Sequence, residues 1–180
     1  MNTRTRGLLT APVLALALAA ALTGCSALDS ALGGTEEAQR DEPGGEITEA
    51  AEADAFSLQV GDCIDYAALS EATEFDSVRT VPCADPHDAE IYAETTLTEE
   101  QFQADLALRE AADTETPSVA ETFCYDAFAG FVGTSYEEST LDFVPFTPTE
   151  ESWEQGDDVV QCLVTHPEGG FTGSMQNSAL

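Results

Sequence analysis

The strongest fold signal in this chain is the stretch Asp158-Val159-Val160-Gln161-Cys162-Leu163-Val164-Thr165. Val160, Cys162 and Val164 fall on one face of an extended chain, and the residues between them fall on the other. The run contains neither Gly nor Pro and is rich in β-branched residues, which favour strands. It therefore predicts a β-strand with a defined face on each side.

Further strands and two helices are predicted on the N-terminal side of this stretch. Strands are predicted at 58–60 continuing into 63–64, at 75–81, at 90–97, where Ile91, Ala93, Thr95 and Leu97 alternate, and at 140–146, where Pro145 ends the strand. One helix is predicted over 99–112, and a second begins with Thr116 as N-cap and Pro117 at N1 and ends at Gly130 or Gly133. A capping box over 147–150 opens a short turn that carries Trp153. We therefore predict a single small α+β domain over 56–180, with mostly antiparallel strands and two helices.

Four cysteines lie within this domain: Cys63, Cys83, Cys124 and Cys162. An even number of cysteines in an exported chain indicates two disulfides, and four cysteines allow three pairings. We favour Cys63–Cys83 and Cys124–Cys162, because each closes a moderate loop between predicted element ends. A zinc site is the alternative, but the spacings are long and no C-x-x-C pair occurs. The domain is thus predicted to be stapled by disulfides, with no metal or cofactor.

The N-terminus carries an export signal. Arg4 and Arg6 precede an apolar run over 7–21, which is followed by Leu22-Thr23-Gly24-Cys25. This order resembles a bacterial lipoprotein signal with its lipobox, whereas an ordinary secretory signal would need no Cys at this position. The resemblance implies that residues 1–24 are removed and that Cys25 is lipidated. Two acyl chains anchor a protein stably where one does not, which predicts a location on the outer face of the cytoplasmic membrane.

Acidic residues dominate the chain after the signal. Thirty-five Asp and Glu face five Arg and no Lys, and removal of Arg4 and Arg6 leaves a formal charge of −32 (3 − 35). Such a surface repels phosphate groups, which argues against nucleic acid as a partner. Residues 25–55, after the lipidated Cys25, are rich in Glu, Ala and Gly and poor in large apolar residues. We predict that this segment is a disordered acidic linker.

Several short motifs of the domain occur in a characteristic order. They are Val60-Gly61-Asp62-Cys63, Val81-Pro82-Cys83, Pro86-His87-Asp88-Ala89-Glu90, Cys124, Trp153-Glu154-Gln155-Gly156-Asp157, Cys162 and Thr172-Gly173-Ser174. Their order and the cysteine positions resemble the actinobacterial septum formation domain family. The resemblance implies an exported or membrane-tethered envelope protein linked to cell division. It gives no chemical role to its motif residues, which are Gly61, Asp62, Pro86, His87, Asp88, Glu90, Trp153, Gly156 and Asp157.

Each motif also has a structural interpretation. His87 with nearby acids could bind a metal, but strand alternation should turn His87 away from Asp88 and Glu90, so we expect it to hydrogen-bond within a loop. Both Gly-Asp pairs fit turns in which the Asp accepts backbone N–H groups. Trp153 is expected to be a core anchor beside Cys162. The motif at 172–174 fits a terminal turn, with a small anion-binding nest as the alternative.

No catalytic motif of a hydrolase, nucleotide-binding protein or metalloprotease occurs in the sequence. The many acidic residues would allow a paired-carboxylate glycosidase, but few aromatic residues remain to line a sugar groove. We therefore expect a non-enzymatic interaction or scaffold protein of the cell envelope whose partners are envelope or division proteins. The alternative is an extracytoplasmic binding module for a metal or a small cationic solute.

Overall fold

One six-stranded antiparallel sheet organises the domain. The computed structural model describes residues 37–69, 76–112 and 115–180. The strands are β1 (Ala51–Asp54), β2 (Cys63–Ile64), β3 (Ser77–Val81), β4 (Ala89–Thr96), β5 (Asp142–Phe146) and β6 (Val159–Thr165). Their order is β1-β3-β2-β4-β6-β5, and every pair is antiparallel. The predicted α+β class and the antiparallel sheet are confirmed.

In the part of the chain that the structure describes, three α-helices accompany the sheet: α1 (Glu99–Glu110), α2 (Val119–Val132) and the short α3 (Glu150–Glu154). Each begins with a capping box, in which an N-cap hydroxyl and the side chain three residues later exchange hydrogen bonds with each other's backbone. In residues 37–69, 76–112 and 115–180, no helix has the length and apolar character needed to cross a bilayer.

Two predicted helix starts are wrong by two residues each. Helix α2 is capped by Ser118 and not by Thr116, because Ser118 has Glu121 three residues ahead to complete the capping box. Helix α3 is capped by Thr149 and not by Thr147, because Ser152 supplies the reciprocal bond. The predicted end of α2 at Gly133 is confirmed, since Gly133 adopts a left-handed conformation with φ of 90°.

The sheet separates two apolar clusters, and β6 contributes to both. Val160, Cys162 and Val164 join the larger cluster with buried residues of α1 and α2, among them Phe102 and Phe128. Leu163 joins the smaller cluster, whose other buried members are Leu58, Ile64, Val78, Ala89 and Ile91. The predicted two-faced strand is confirmed, and it fixes which side of the sheet the helices cover.

Strand β4 does not follow the simple alternation predicted for it. Its register against β6 shifts between Ile91 and Ala93, as in a β-bulge. Ile91 therefore lies in the smaller cluster, whereas Ala93 and Leu97 pack in or against the larger one. The predicted common face for these residues is wrong, because the bulge turns the strand over at Tyr92.

Two strand predictions also need correction. Pro145 does not end β5 but lies within it, opposite Cys162. Strand β5 is an edge strand, and an edge position tolerates a residue without a backbone N–H. Residues 58–60 do not form a strand, because Gln59 enters a turn in which its carbonyl accepts the Asp62 N–H at 3.1 Å.

Residues 37–55 are ordered, so the predicted disordered linker does not extend to residue 55. Strand β1 pairs with β3 from Ala51 opposite Thr80 to Asp54 opposite Ser77. Ala38, Ile47 and Ala53 form a small buried cluster. Backbone pairing and an ion pair of Arg40 thus compensate for the scarcity of large apolar side chains. Cys25 and the signal at 1–24 lie outside the described residues.

Two disulfides join these elements, Cys63–Cys83 and Cys124–Cys162, with Cα separations of 5.2 and 5.4 Å. This is the pairing that the sequence favoured. The first links β2 to the turn after β3, and the second links α2 to β6 across the larger cluster. Each disulfide therefore fixes a contact that the sheet or the core already makes.

Candidate functional site

Five of the nine family-motif residues lie at two places in the domain. The first, which we name the Cys63 cluster, consists of Cys63, Cys83, His87, Glu90 and Ser174. The second, which we name the Trp153 cleft, is lined by Leu97, Glu99, Trp153, Gly156, Asp157 and Asp158. Motif residues far apart in sequence are thus brought together, but they form two sites and not one.

Sheet register places Cys63 at the centre of its cluster. Strand β2 lies between β3 and β4, so that Cys63 is opposite Val81 on one side and Glu90 on the other. One candidate ligand atom each from Cys63, His87 and Glu90 lies within 4.8 Å of the other two. These three residues expose 0%, 4% and 2% of their surface. The cluster is therefore a buried polar group within an apolar sheet.

Glu90 is held by the C-terminal segment of the chain. Its two carboxylate oxygens accept hydrogen bonds from Ser174 Oγ at 2.7 Å and from the Met175 N–H at 2.6 Å. Burial raises the pKa of Glu90, while these two hydrogen bonds act in the opposite direction. Because the folded state then holds this proton to higher pH than the unfolded chain, the contribution of Glu90 to stability falls as the pH rises through its folded pKa. The turn at 172–174 thus binds an internal carboxylate.

His87 lies beside Glu90, and the predicted orientation away from it is wrong. Strand β4 begins only at Ala89, and His87 precedes it in a two-way backbone bridge with Phe171. The alternation rule therefore does not apply between His87 and Glu90. Nδ1 of His87 lies 2.9 Å from the Asp85 carbonyl oxygen, which can only accept, so Nδ1 carries the proton. The expected hydrogen bond within the loop is thus present, while Nε2 is buried without a partner among the described residues.

Asp62 forms a buried ion pair next to the Cys63 cluster. Its two carboxylate oxygens accept hydrogen bonds from the two terminal guanidinium nitrogens of Arg40, at 2.5 and 2.6 Å. It also accepts the Gln59 N–H at 2.8 Å, which is the turn capping that the sequence predicted. The hydrogen bonds to Asp62 raise the pKa of Arg40. Gly61 takes a φ of +97° in this turn, which favours glycine at this position.

The Pro86-His87-Asp88 segment is held against the loop at residues 66–67 by the carboxylate of Asp88. The Asp88 carboxylate accepts the N–H groups of Tyr66 at 2.6 Å and Ala67 at 2.7 Å. Pro86 lies exposed at the start of the segment. Asp88 therefore joins two loops and contributes no oxygen to the group formed by His87 and Glu90.

Trp153 lies at the edge of the larger cluster and not at its centre. It is half-buried and stacks on Phe102, with ring centroids 4.2 Å apart and planes 5° from parallel. Its Nε1–H donates to Glu99 at 2.9 Å. Asp157 caps the neighbouring turn, accepting Ser152 Oγ at 2.9 Å and the Val159 N–H at 3.2 Å. One face of the indole thus packs against the core, as predicted for a core anchor. The carboxylates that line the cleft would attract a cationic group.

The geometry of the Cys63 cluster differs from that of a catalytic triad. In a Ser-His-acid triad, a histidine nitrogen accepts the serine proton. Here Ser174 donates to Glu90, and His87 donates to a backbone carbonyl. Both cysteines of the cluster are joined in a disulfide. Among the described residues, the bonds between side chains of this cluster are thus the Ser174–Glu90 hydrogen bond and the Cys63–Cys83 disulfide, neither of which activates a nucleophile.

Three contacts of buried carboxylates escaped prediction. Arg40 was assigned to a disordered linker, although it is the one cation among many acids there and so the natural partner of a buried carboxylate. Met175 carried no sequence signal for its bond to Glu90, since the donor is a backbone N–H. Asp105 lies buried in α1 and caps α2 by accepting the Val119 and Ala120 N–H groups, at 2.8 and 3.2 Å. Only the Arg40 contact had a sequence signal that could have revealed it.

The fold and these sites define a small α+β domain with two disulfides. Its motif residues bind the loops and the C-terminal segment to the sheet through hydrogen bonds and an ion pair. A family model described as septum formation matches residues 34–178. The chain therefore belongs to the septum formation family, and this membership suggests a role in cell division. Comparison with curated proteins and with solved structures finds no match.

Proposed function

We propose that this protein is a lipoprotein of the outer face of the cytoplasmic membrane, anchored through Cys25, whose domain binds envelope or division proteins during septum formation. In this proposal the domain catalyses no reaction. It acts as a scaffold that the lipid holds at the membrane and that its partners recruit to the division site.

The anchor is supported by the N-terminal sequence and by the disulfides. Leu22-Thr23-Gly24-Cys25 follows an apolar run with two arginines before it. Disulfides persist in oxidising compartments outside the cytoplasm and are rare inside it. Two disulfides in the domain therefore agree with the export that the signal implies.

The non-enzymatic role is supported by one observation above others: the motif residues are used internally. Asp62 binds Arg40, Asp88 binds two backbone N–H groups, and Glu90 binds the C-terminal segment. Polar groups whose hydrogen bonds are made within the domain stabilise its fold.

The surface offers apolar contacts to a protein partner. Phe56 and Val60 are exposed large apolar side chains in the segment between β1 and β2. Aromatic residues with exposed faces are common at the centre of protein interfaces. The remaining surface is strongly acidic, which would favour partners with basic patches and speed their association.

Replacement of Cys25 by serine is expected to abolish lipid labelling of the protein. Cells grown with a clickable palmitate analogue should label the wild-type chain, which should fractionate with membranes. The Cys25→Ser chain has no thiol for the lipid and should appear in the soluble fraction or as an uncleaved precursor. Ser26→Ala, a change of similar size at the next position, serves as the control and should label like the wild type. Unchanged labelling of Cys25→Ser would contradict the anchor.

A further inference from the structure

We propose that reduction of the Cys63–Cys83 disulfide converts the Cys63 cluster into a zinc-binding site, with the Cys63 thiolate, His87 Nε2 and the Glu90 carboxylate as ligands. The proposal does not depend on the proposed function. It rests on the burial, spacing and hydrogen bonding of three side chains.

The spacing of the ligand atoms is close to that of a zinc site. One such atom each from Cys63, His87 and Glu90 lies within 4.8 Å of the others. Around tetrahedral zinc, with bonds of about 2.0 to 2.3 Å, ligand atoms lie about 3.3 to 3.8 Å apart. Side-chain shifts of about 1 Å would therefore bring the three atoms onto one ion. Thiolate, imidazole and carboxylate are the ligands that zinc takes in proteins.

The tautomer of His87 leaves a ring nitrogen free to bind a metal. Nδ1–H donates to the Asp85 carbonyl oxygen at 2.9 Å, which leaves the lone pair on Nε2. Nε2 has no hydrogen-bond partner among the described residues, although His87 is only 4% exposed. An unpartnered buried nitrogen costs stability and is uncommon in native structures. A backbone carbonyl bound to the other ring nitrogen is also the usual arrangement around a metal-bound histidine.

Glu90 is held in a similar way by groups that would remain in place around a metal. Ser174 Oγ and the Met175 N–H each bind one of its oxygens, at 2.7 and 2.6 Å. Each carboxylate oxygen can accept more than one contact, so both hydrogen bonds can persist when the carboxylate binds an ion. Histidine and glutamate are thus both positioned before any metal arrives.

The Cys63–Cys83 disulfide blocks zinc binding by Cys63. A sulfur in a disulfide carries no negative charge, whereas zinc requires a thiolate. Cys83 is partly exposed and Cys63 is fully buried, so an incoming dithiol attacks the sulfur of Cys83.

The reduction balances as an ordinary exchange with a dithiol. A thiolate of the dithiol bonds to Cys83 Sγ, the Cys63–Cys83 bond breaks, and its electron pair remains on Cys63 as a thiolate. The second thiol of the dithiol then loses its proton and closes the reductant's own disulfide, which releases the Cys83 thiolate. The dithiol is oxidised by two electrons and the protein is reduced by two. Zinc then binds the Cys63 thiolate together with His87 and Glu90, and a water molecule completes four-coordination.

The test uses full-length chains that carry Cys25→Ser, so that Cys25 offers no competing thiol. Cys83→Ser frees the Cys63 thiol without any reductant and leaves Cys124–Cys162 intact. We expect this variant to bind one zinc ion per chain, measured by competition with a chromophoric chelator. Adding His87→Ala or Glu90→Ala should weaken the affinity at least tenfold. The matched control is Cys162→Ser, which frees one buried thiol, Cys124, away from the cluster, and it should bind no better than the oxidised parent chain.

A second measurement covers the case in which Cys83→Ser does not fold, as judged by near-ultraviolet circular dichroism. The parent chain is reduced with a phosphine, and the alkylation rate of each cysteine is mapped by mass spectrometry with and without zinc. We expect zinc to slow alkylation of Cys63 at least tenfold. Zinc uptake by folded Cys83→Ser equal to that of Cys162→Ser would overturn the proposal. Two further results would overturn it: an affinity of Cys83→Ser that His87→Ala leaves unchanged, or equal alkylation rates of Cys63 with and without zinc.

Discussion

Removal of the Cys124–Cys162 disulfide is expected to lower the free energy of unfolding by about 4 kcal/mol. The bond closes a loop with a sequence separation of 38 residues, so its loss restores considerable freedom to the unfolded chain. Both cysteines are fully buried in the larger cluster, where Cys124 lies on α2 and Cys162 on β6. The double replacement Cys124→Ala/Cys162→Ala also leaves space between helix and sheet, which adds to the loss.

Chemical denaturation monitored by circular dichroism measures this loss. The matched variant is Cys63→Ala/Cys83→Ala, which removes a bond with a separation of 20 residues. On loop length alone, that bond should contribute about 3 kcal/mol, so the two variants should rank in the order of their loops. A loss below about 1 kcal/mol for Cys124→Ala/Cys162→Ala would contradict the assigned role of this disulfide, since native disulfides in small domains contribute about 2–5 kcal/mol.

Replacement of Arg40 by alanine is expected to lower the free energy of unfolding by about 3 kcal/mol. The change leaves the Asp62 carboxylate, whose side chain is 3% exposed, without its countercharge. A buried charge without a partner is strongly destabilising, and the remaining bond from the Gln59 N–H compensates only in part. The loss should therefore exceed that of an ordinary surface substitution several-fold.

Denaturant titration of Arg40→Ala beside Arg79→Ala provides this comparison. Arg79 lies on β3 with its side chain exposed, and its replacement should change stability by no more than about 0.5 kcal/mol. The double variant Arg40→Ala/Asp62→Asn should lose less than the sum of its single changes, because the asparagine carries no charge. Equal effects of the two arginine replacements would show that residues 37–50 contribute little to the domain.

The sequence predicted best where one local rule acted alone. Residues 159–165 alternate without interruption and form β6, with Val160, Cys162 and Val164 in the larger cluster and Leu163 in the smaller one. Gly133 follows a helical stretch and ends α2 in the left-handed conformation that glycine favours. The favoured disulfides also form, because each joins segments that are already neighbours in the sheet or in the core.

Predictions failed where two local rules competed or where the partner lay far along the chain. Thr116 and Ser118 are both acceptable N-caps, and only Glu121 decides between them. The bulge in β4 has no sequence signature, so the common face predicted for Ile91 and Ala93 was wrong. Arg40 is ordered by Asp62, 22 residues away; its position as the one cation of an acidic segment signals an ion pair but does not identify this distant partner.

The sequence predicted which residues form the candidate site, but not how these residues are arranged in space. His87, Glu90 and Cys63 were all singled out as motif residues, yet alternation placed His87 away from Glu90. The C-terminal segment changes this, because its backbone bridge with His87 and its bonds to Glu90 hold both side chains at Cys63. Long-range pairing of this kind depends on topology, which a single sequence does not specify.

Localisation in dividing cells tests the central claim, a lipid-anchored role at the septum, most directly. A fusion of the full chain to a fluorescent protein that folds outside the cytoplasm is imaged together with a membrane stain, and Cys25→Ala provides the untethered control. We expect enrichment at midcell in dividing cells for the wild type and loss of that enrichment for Cys25→Ala. A uniform membrane signal of the wild type throughout division would contradict it.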